Sequence, residues 1–188
     1  MHGREGAAGD DLVLTPEPQT AAAANARTTT DAQPPRGTLV QLNVSKGGMP
    51  KLPVLFARVS VEGVAGDWQK NRKYHGGPDR AVCLFSEELY AWLRAEHGID
   101  LANGAVGENF TTRGIDLMSL NQGDQLRVGE CLIELTAVRA PCRNLNKWDG
   151  RLLSVIQGRS GWVAKVVQEG IVRPGDPIEV ITAPVESV

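Results

Sequence analysis

A chain of 188 residues, 41% hydrophobic and 22% charged, is long enough for one domain with a real core and too short for two ordinary ones. Its formal net charge of −2 calls for neither nucleic acid nor an anionic membrane surface, and no run approaches the ~18 apolar residues of a membrane span. The three cysteines, at 83, 131 and 142, include no CxxC pair, which argues against a disulfide framework and a structural zinc site. A reducing cytoplasm is the expected home.

Residues 1–36 hold few large apolar side chains and much Ala, Thr, Pro and Gly. Such a segment buries too little surface to offset its ordering entropy, so a disordered tail is expected ahead of a single domain over 37–188. Ala22-Ala23-Ala24-Asn25-Ala26 looks like a small-residue cleavage site, but Asp10, Asp11 and Glu17 stand where a secretory signal needs its apolar core. A linker or an over-extended start fits better.

Gly37–Val44 alternates apolar and polar residues as a half-buried strand does. Leu52–Val64 reads as two short strands with a bend near Gly63. Lys70–Arg80 is polar and carries four cations around Gly76-Gly77-Pro78. It is either a solvated turn or a cradle of backbone N–H groups and charge for an anion. His75 in that loop is more readily a hydrogen-bonding post than a ligand or base. Ala81–Phe85 is a short strand, and Ser86 caps a helix to about His97, with Glu87 and Glu88 in its first turn and Gly98 at its C′ position. Leu89, Trp92 and Leu93 form its apolar stripe. Gly104 and Gly107 free the backbone before a strand at Phe110–Thr112, and Glu108 and Asn109 either line a pocket or cap a turn. Gln125–Val128 and Cys131–Val138 form a hairpin through Gly129-Glu130. Leu145–Trp148 and Arg151–Gln157 read as short helices, and Trp162–Gln168 and Pro177–Ile181 as closing strands. Many short strands and one good helix predict a mainly β, barrel-like fold with a few peripheral helices.

Cys142 falls just past a strand end, behind Pro141 and between Arg139 and Arg143. Pro141 has no N–H and stops the ladder there, while two arginines favour a thiolate, the form that attacks electrophiles and ligates soft metals. The plainer reading is a small core cysteine that precedes a loop. Cys83 and Cys131 lie inside apolar strands and read as core.

Three segments together, Tyr74-His75-Gly76-Gly77-Pro78-Asp79-Arg80-Ala81-Val82, Gly104 to Thr112 with Gly114, and Arg139-Ala140-Pro141-Cys142 with Leu145-Asn146, resemble the MOSC domain. That module ends molybdenum-cofactor sulfurases and also occurs as stand-alone bacterial proteins. Gly63 to Asp67 fits the family's lead-in, and the resemblance spans about Gly37 to Ile181. It implies a β-barrel-like domain with one reactive cysteine, Cys142, as molybdenum ligand or sulfur carrier. It also implies a molybdenum–pterin cofactor whose phosphate would meet Lys73, His75, Gly76, Gly77 and Arg80. Arg139 and Arg143 would then lie nearer the metal, and Glu108 and Asn109 at the pterin edge. The implied chemistry is reduction of N-oxygenated small molecules with an external redox partner. The alternative is a persulfide carrier or cofactor-handling module that needs a sulfur donor and acceptor. Pyridoxal phosphate is associated with the family through an upstream domain of the sulfurases, for which this chain is expected to have no room.

Overall fold

The computed structural model describes residues 36–68 and 76–181. The tail expected over 1–36 therefore lies outside the described residues except for Arg36, which begins the first strand. Of the cation-rich loop, Lys70, Arg72, Lys73, Tyr74 and His75 also lie outside them.

Seven strands close into a barrel. In spatial order they are β1 (Arg36–Val44), β11 (Pro177–Ile181), β7 (Gln125–Val128), β8 (Cys131–Val138), β9 (Trp162–Gln168), β5 (Val82–Ser86) and β6 (Phe110–Arg113), which returns to β1. All the neighbours pair antiparallel except β5 and β6. That parallel pair needs a crossover, and α1 (Glu87–His97) lies within it. The expectation of a mainly β, barrel-like fold is met, with α1 and the one-turn α2 (Leu152–Val155) as the only α-helices among the described residues.

Closure depends on local irregularities. Leu39 and Leu42 are both fully buried, although residues an odd number apart on a regular strand face opposite sides. The register of β1 against β6 shifts between Leu39 and Gln41, and that bulge turns both leucines inward. Leu39, Leu42, Leu84, Phe110, Ile133 and Leu135 belong to the barrel core. A second cluster lies under α1, where Phe85, Tyr90 and Leu93 meet Val106, Leu145 and Leu152. Strand β5 serves both cores, with Leu84 in the first and Phe85 in the second.

Helix α1 starts and stops as its sequence predicts. The Ser86 hydroxyl accepts the Leu89 N–H at 3.2 Å, and Gly98 (φ 67°) closes the last turn by donating its N–H to Arg94 O. Its buried stripe is Tyr90 and Leu93, whereas Leu89 and Trp92 pack only partly.

Other expectations are revised. Leu52–Val64 forms three short strands, β2 (Leu52–Val54), β3 (Ala57–Ser60) and β4 (Gly63–Val64). Strand β2 extends the main sheet at β1, while β3 and β4 join β10 (Gly170–Val172) in a small second sheet. Strand β10 occupies a segment that reads in sequence as a link; three residues are too short for their alternation to register. The helix expected at Leu145–Trp148 is a 3-10 helix over Arg143–Lys147, and that at Arg151–Gln157 shortens to α2.

Candidate functional site

Cys142 is mounted by three successive constraints. Arg139 continues the line of β8 by donating its N–H to Gly161 O at 2.9 Å, and Pro141 then ends the ladder. Cys142 adopts an extended backbone (φ −108°, ψ 148°) as N-cap of the 3-10 helix, and its Sγ accepts the Asn144 N–H at 3.3 Å. Three residues on, Leu145 is fully buried in the second core and pins the helix down. The thiol itself is half-buried, held yet reachable.

Side chains on either side of Cys142 grip the loops below it. Arg139 donates from Nη2 to Val106 O, Trp148 donates from Nε1 to Ala105 O at 3.0 Å, and Lys147 donates from Nζ to Met49 O. The receiving loop, Gly104–Gly107, runs so close to residues 49–51 that side chains there have no room. A Cβ on Gly104 would lie 2.3 Å from Lys51 O, and one on Gly107 would lie 2.8 Å from Met49 Cγ. Both glycines also have φ of +86°, a region L side chains rarely adopt.

Behind this loop a continuous polar network is buried. Glu108 Oε1 accepts from Gly104 N–H at 2.6 Å and from the hydroxyls of Tyr90 and Thr111 at 2.9 Å each. Asn43 Nδ2 donates to Thr111 Oγ1 at 3.1 Å and so joins the same chain of bonds. Asn109 makes three bonds: Oδ1 accepts Cys83 N–H, and Nδ2 donates to Asn43 O and to Asp67 Oδ2. Asp67 in turn accepts the Ser45 N–H and pairs with Lys51 Nζ at 2.5 Å, both side chains being almost wholly buried. Burial holds the Glu108 carboxyl above the usual carboxylate range and raises the Tyr90 phenol as well. Two atoms of this region are buried without a protein partner, Glu108 Oε2 and Arg139 Nη1.

The structure thus brings Cys142, Arg139 and Arg143 together on one segment and carries Arg139 to the loop that precedes Glu108. Arg143 is exposed. Gly76 and Gly77 lead into a 3-10 turn, Pro78–Arg80, in which Arg80 N–H donates to Gly77 O at 3.0 Å. The Thr136 hydroxyl donates to Asp79 O, tying this turn to the end of β8 three residues before Arg139. Lys73 and His75 lie outside the described residues. Both N–H groups of the Asn109 amide are spent inside the protein, and Glu108 gathers its donors on Oε1, leaving Oε2 without a protein partner. Sequence reasoning did not single out Lys51, Tyr90 or Trp148. Asp67 stood out only as the last residue of the Gly63 to Asp67 lead-in.

The other cysteines differ from each other. Cys131 is fully buried as expected, and burial pushes its thiol up to about 12. Cys83 is only half-buried and belongs to neither apolar core; Arg139, Lys51, Glu108 and Asp67 are the charged groups that act on it. Desolvation still raises its thiol. Brief iodoacetamide treatment of metal-free protein at pH 8 should label the half-buried Cys142 first and leave Cys131 intact, because a thiol reacts as its thiolate and burial disfavours that form at Cys131. Peptide mapping by mass spectrometry checks the order.

The spacing of these segments and the barrel that joins them agree with a direct comparison, in which the model of the MOSC domain matches residues 71–179. The chain belongs to the MOSC domain family. It is 34% identical to Protein YiiM of Escherichia coli K12, over 69% of this chain and 65% of that one. It is 35% identical to a protein of Gibberella moniliformis named Reductase, over 66% of this chain but only 24% of that longer one. The chain spans less than two thirds of the length of the curated relatives it matches. Among solved structures, YiiM from Geobacillus stearothermophilus superposes with a TM-score of 0.66 at 26% identity, covering 81% of this chain and 78% of that one. Within this MOSC barrel, Cys142 and the loop at Gly104–Gly107 both fall inside the matched region. No helix among the described residues is long and apolar enough to cross a membrane.

Proposed function

We propose that this MOSC chain holds the molybdenum cofactor with the Cys142 thiolate on the metal, and that it reduces N-oxygenated small molecules with electrons from a separate donor. The MOSC domain is associated with the molybdenum cofactor. The observation that carries the reading is a held, half-buried thiol on the same segment as a buried cationic N–H that lacks a protein partner, Arg139 Nη1. A single thiolate suits a soft metal, and an unspent guanidinium N–H suits an anionic group beside it, so the donor set fits the cofactor. An unpaired buried donor costs on the order of 1–3 kcal/mol, which a bound anion would offset.

When bound, the cofactor supplies a two-electron centre that removes oxygen from a substrate. This chain's own residues do the rest. Cys142 would hold the metal from a cap position on the 3-10 helix, and Arg139 would present Nη1 from a guanidinium anchored at Val106 O. Gly76 and Gly77 would offer N–H groups, and Arg80 its charge, to the phosphate, together with Lys73 and His75. The relative named Reductase, in which the matched region is about a quarter of the protein, favours reduction with further modules or partners supplying electrons.

The test is metal content by mass spectrometry, with pterin fluorescence after oxidation, on protein purified from a cofactor-competent host. Near-stoichiometric molybdenum and pterin are expected. Their absence, together with a persulfide mapped to Cys142, would replace this reading with that of a sulfur carrier.

A further inference from the structure

Glu108 and Tyr90 are buried titratable groups that the proposed chemistry does not use. Glu108 is fully buried, yet it gathers three donors on one oxygen, Oε1, from α1, β6 and the loop between them. Tyr90 bridges outward from it, because the same hydroxyl that donates to Glu108 accepts the Val106 N–H at 3.3 Å. Between them, these two side chains hold the N–H groups at 104 and 106. The carbonyls of the same loop, at 105 and 106, are the ones that Trp148 and Arg139 grip from the Cys142 segment. The loop is thus a plate bonded on one side to Glu108 and Tyr90 and on the other to the residues that flank the thiol.

We propose that Glu108, acting through Oε1 and Tyr90, is a positioning residue for Cys142: it templates the Gly104–Gly107 loop whose carbonyls hold Arg139 and Trp148 on either side of the thiol. The inference rests on the reading of Cys142 as the functional thiol, and it assigns the acidic residue to the N–H groups of the loop, at Gly104 directly and at Val106 by way of Tyr90. A buried acceptor can hold a loop in this way because a buried backbone N–H left unmet is costly. What matters is the acceptor oxygen. Glutamine, which keeps Oε1 and the side-chain length, should replace it, whereas alanine should not.

The test reads the thiol with no metal or activity involved. Alkylation of Cys142 by iodoacetamide is followed by mass spectrometry, well below the unfolding temperature, in wild type, Glu108→Ala, Glu108→Gln, Tyr90→Phe and the barrel-core control Ile133→Ala. Loss of the template opens the segment locally, so Glu108→Ala should raise the Cys142 rate about fivefold or more. Glu108→Gln should stay within about twofold of wild type, and Tyr90→Phe, which removes one bridge only, should fall between. Ile133→Ala lowers stability without touching the loop and should leave the rate unchanged. A Cys142 rate in Glu108→Ala no higher than in Ile133→Ala would overturn the proposal, as would a Gln variant that behaves like the Ala one. If Glu108→Ala does not fold, Tyr90→Phe decides, and a wild-type rate there sinks the idea. On protein expressed in a host that makes no molybdenum cofactor, every variant carries a free Cys142, so these outcomes do not depend on metal loading and the positioning role and the cofactor reading fail separately.

Discussion

Cys142→Ser should lose molybdenum and pterin while melting at nearly the temperature of cofactor-free wild type. The two effects separate because the sulfur does two unrelated things. As N-cap it accepts one N–H, from Asn144 at 3.3 Å, and serine is among the best residues for that task. The side chain is half-buried and fills no part of either core, so the stability change should stay within about 0.5 kcal/mol. As a metal ligand, however, a hydroxyl is a poor substitute for a thiolate. Loss of partners that merely support a ligand already weakens metal binding about 10–100-fold, so loss of the ligand itself should exceed about 100-fold. Metal analysis on protein from a cofactor-competent host, and a thermal melt of both proteins made without cofactor, check the two halves. A variant that unfolds would make Cys142 a packing residue, and one that keeps its molybdenum would move the ligand elsewhere on the chain.

How much of this was legible beforehand follows from which interactions are local. Helix α1 could be read to the residue because Ser86, Glu87 and Gly98 act within one turn of where they stand. Strands β7, β8, β9 and β11 also lie where the alternation of their residues puts them. The Cys142 segment was legible for the same reason, since Pro141 ends the ladder wherever it occurs. The support beneath it was not. Asp67 and Asn109 are 42 positions apart, Trp148 and Ala105 are 43 apart, and neither sequence neighbourhood hints at the other. Glu108 and Asn109 looked like site-lining groups because polar residues beside glycines usually face water; here the barrel and α1 close over them. Cys83 misleads in the opposite sense. An apolar strand has two faces, and only the Val82 and Leu84 face of β5 points into the barrel core, leaving the thiol among charged groups.

The largest loss of stability should come from Asp67→Ala. Its carboxylate is the junction of three donors: Ser45 N–H at 2.8 Å, Lys51 Nζ at 2.5 Å and Asn109 Nδ2 at 3.0 Å. Removing it leaves a nearly buried ammonium without its counter-charge, and breaking a buried pair by deleting one partner costs about 3–5 kcal/mol. For a domain of this size that corresponds to roughly 6–20 °C in Tm. The exposed pairs offer a built-in comparison. Arg58–Glu169 and Arg94–Asp100 are as short as many buried pairs, at 2.7 Å, yet water screens them, and truncating either should cost less than about 1 kcal/mol. Lys51→Met should fall between these limits, because Asp67 would keep two N–H donors and the methionine would fill the space of the lysine stem. Thermal or urea unfolding of the four proteins ranks them. The ranking has a consequence for the site, since Lys51 also donates its backbone N–H to Gly104 O and so ties the ion pair to the loop below Cys142. That bond belongs to the backbone and survives in Lys51→Met, which should therefore lose stability with little change in Cys142 alkylation. Asp67→Ala releases the segments around Ser45 and Lys51 together and should change both.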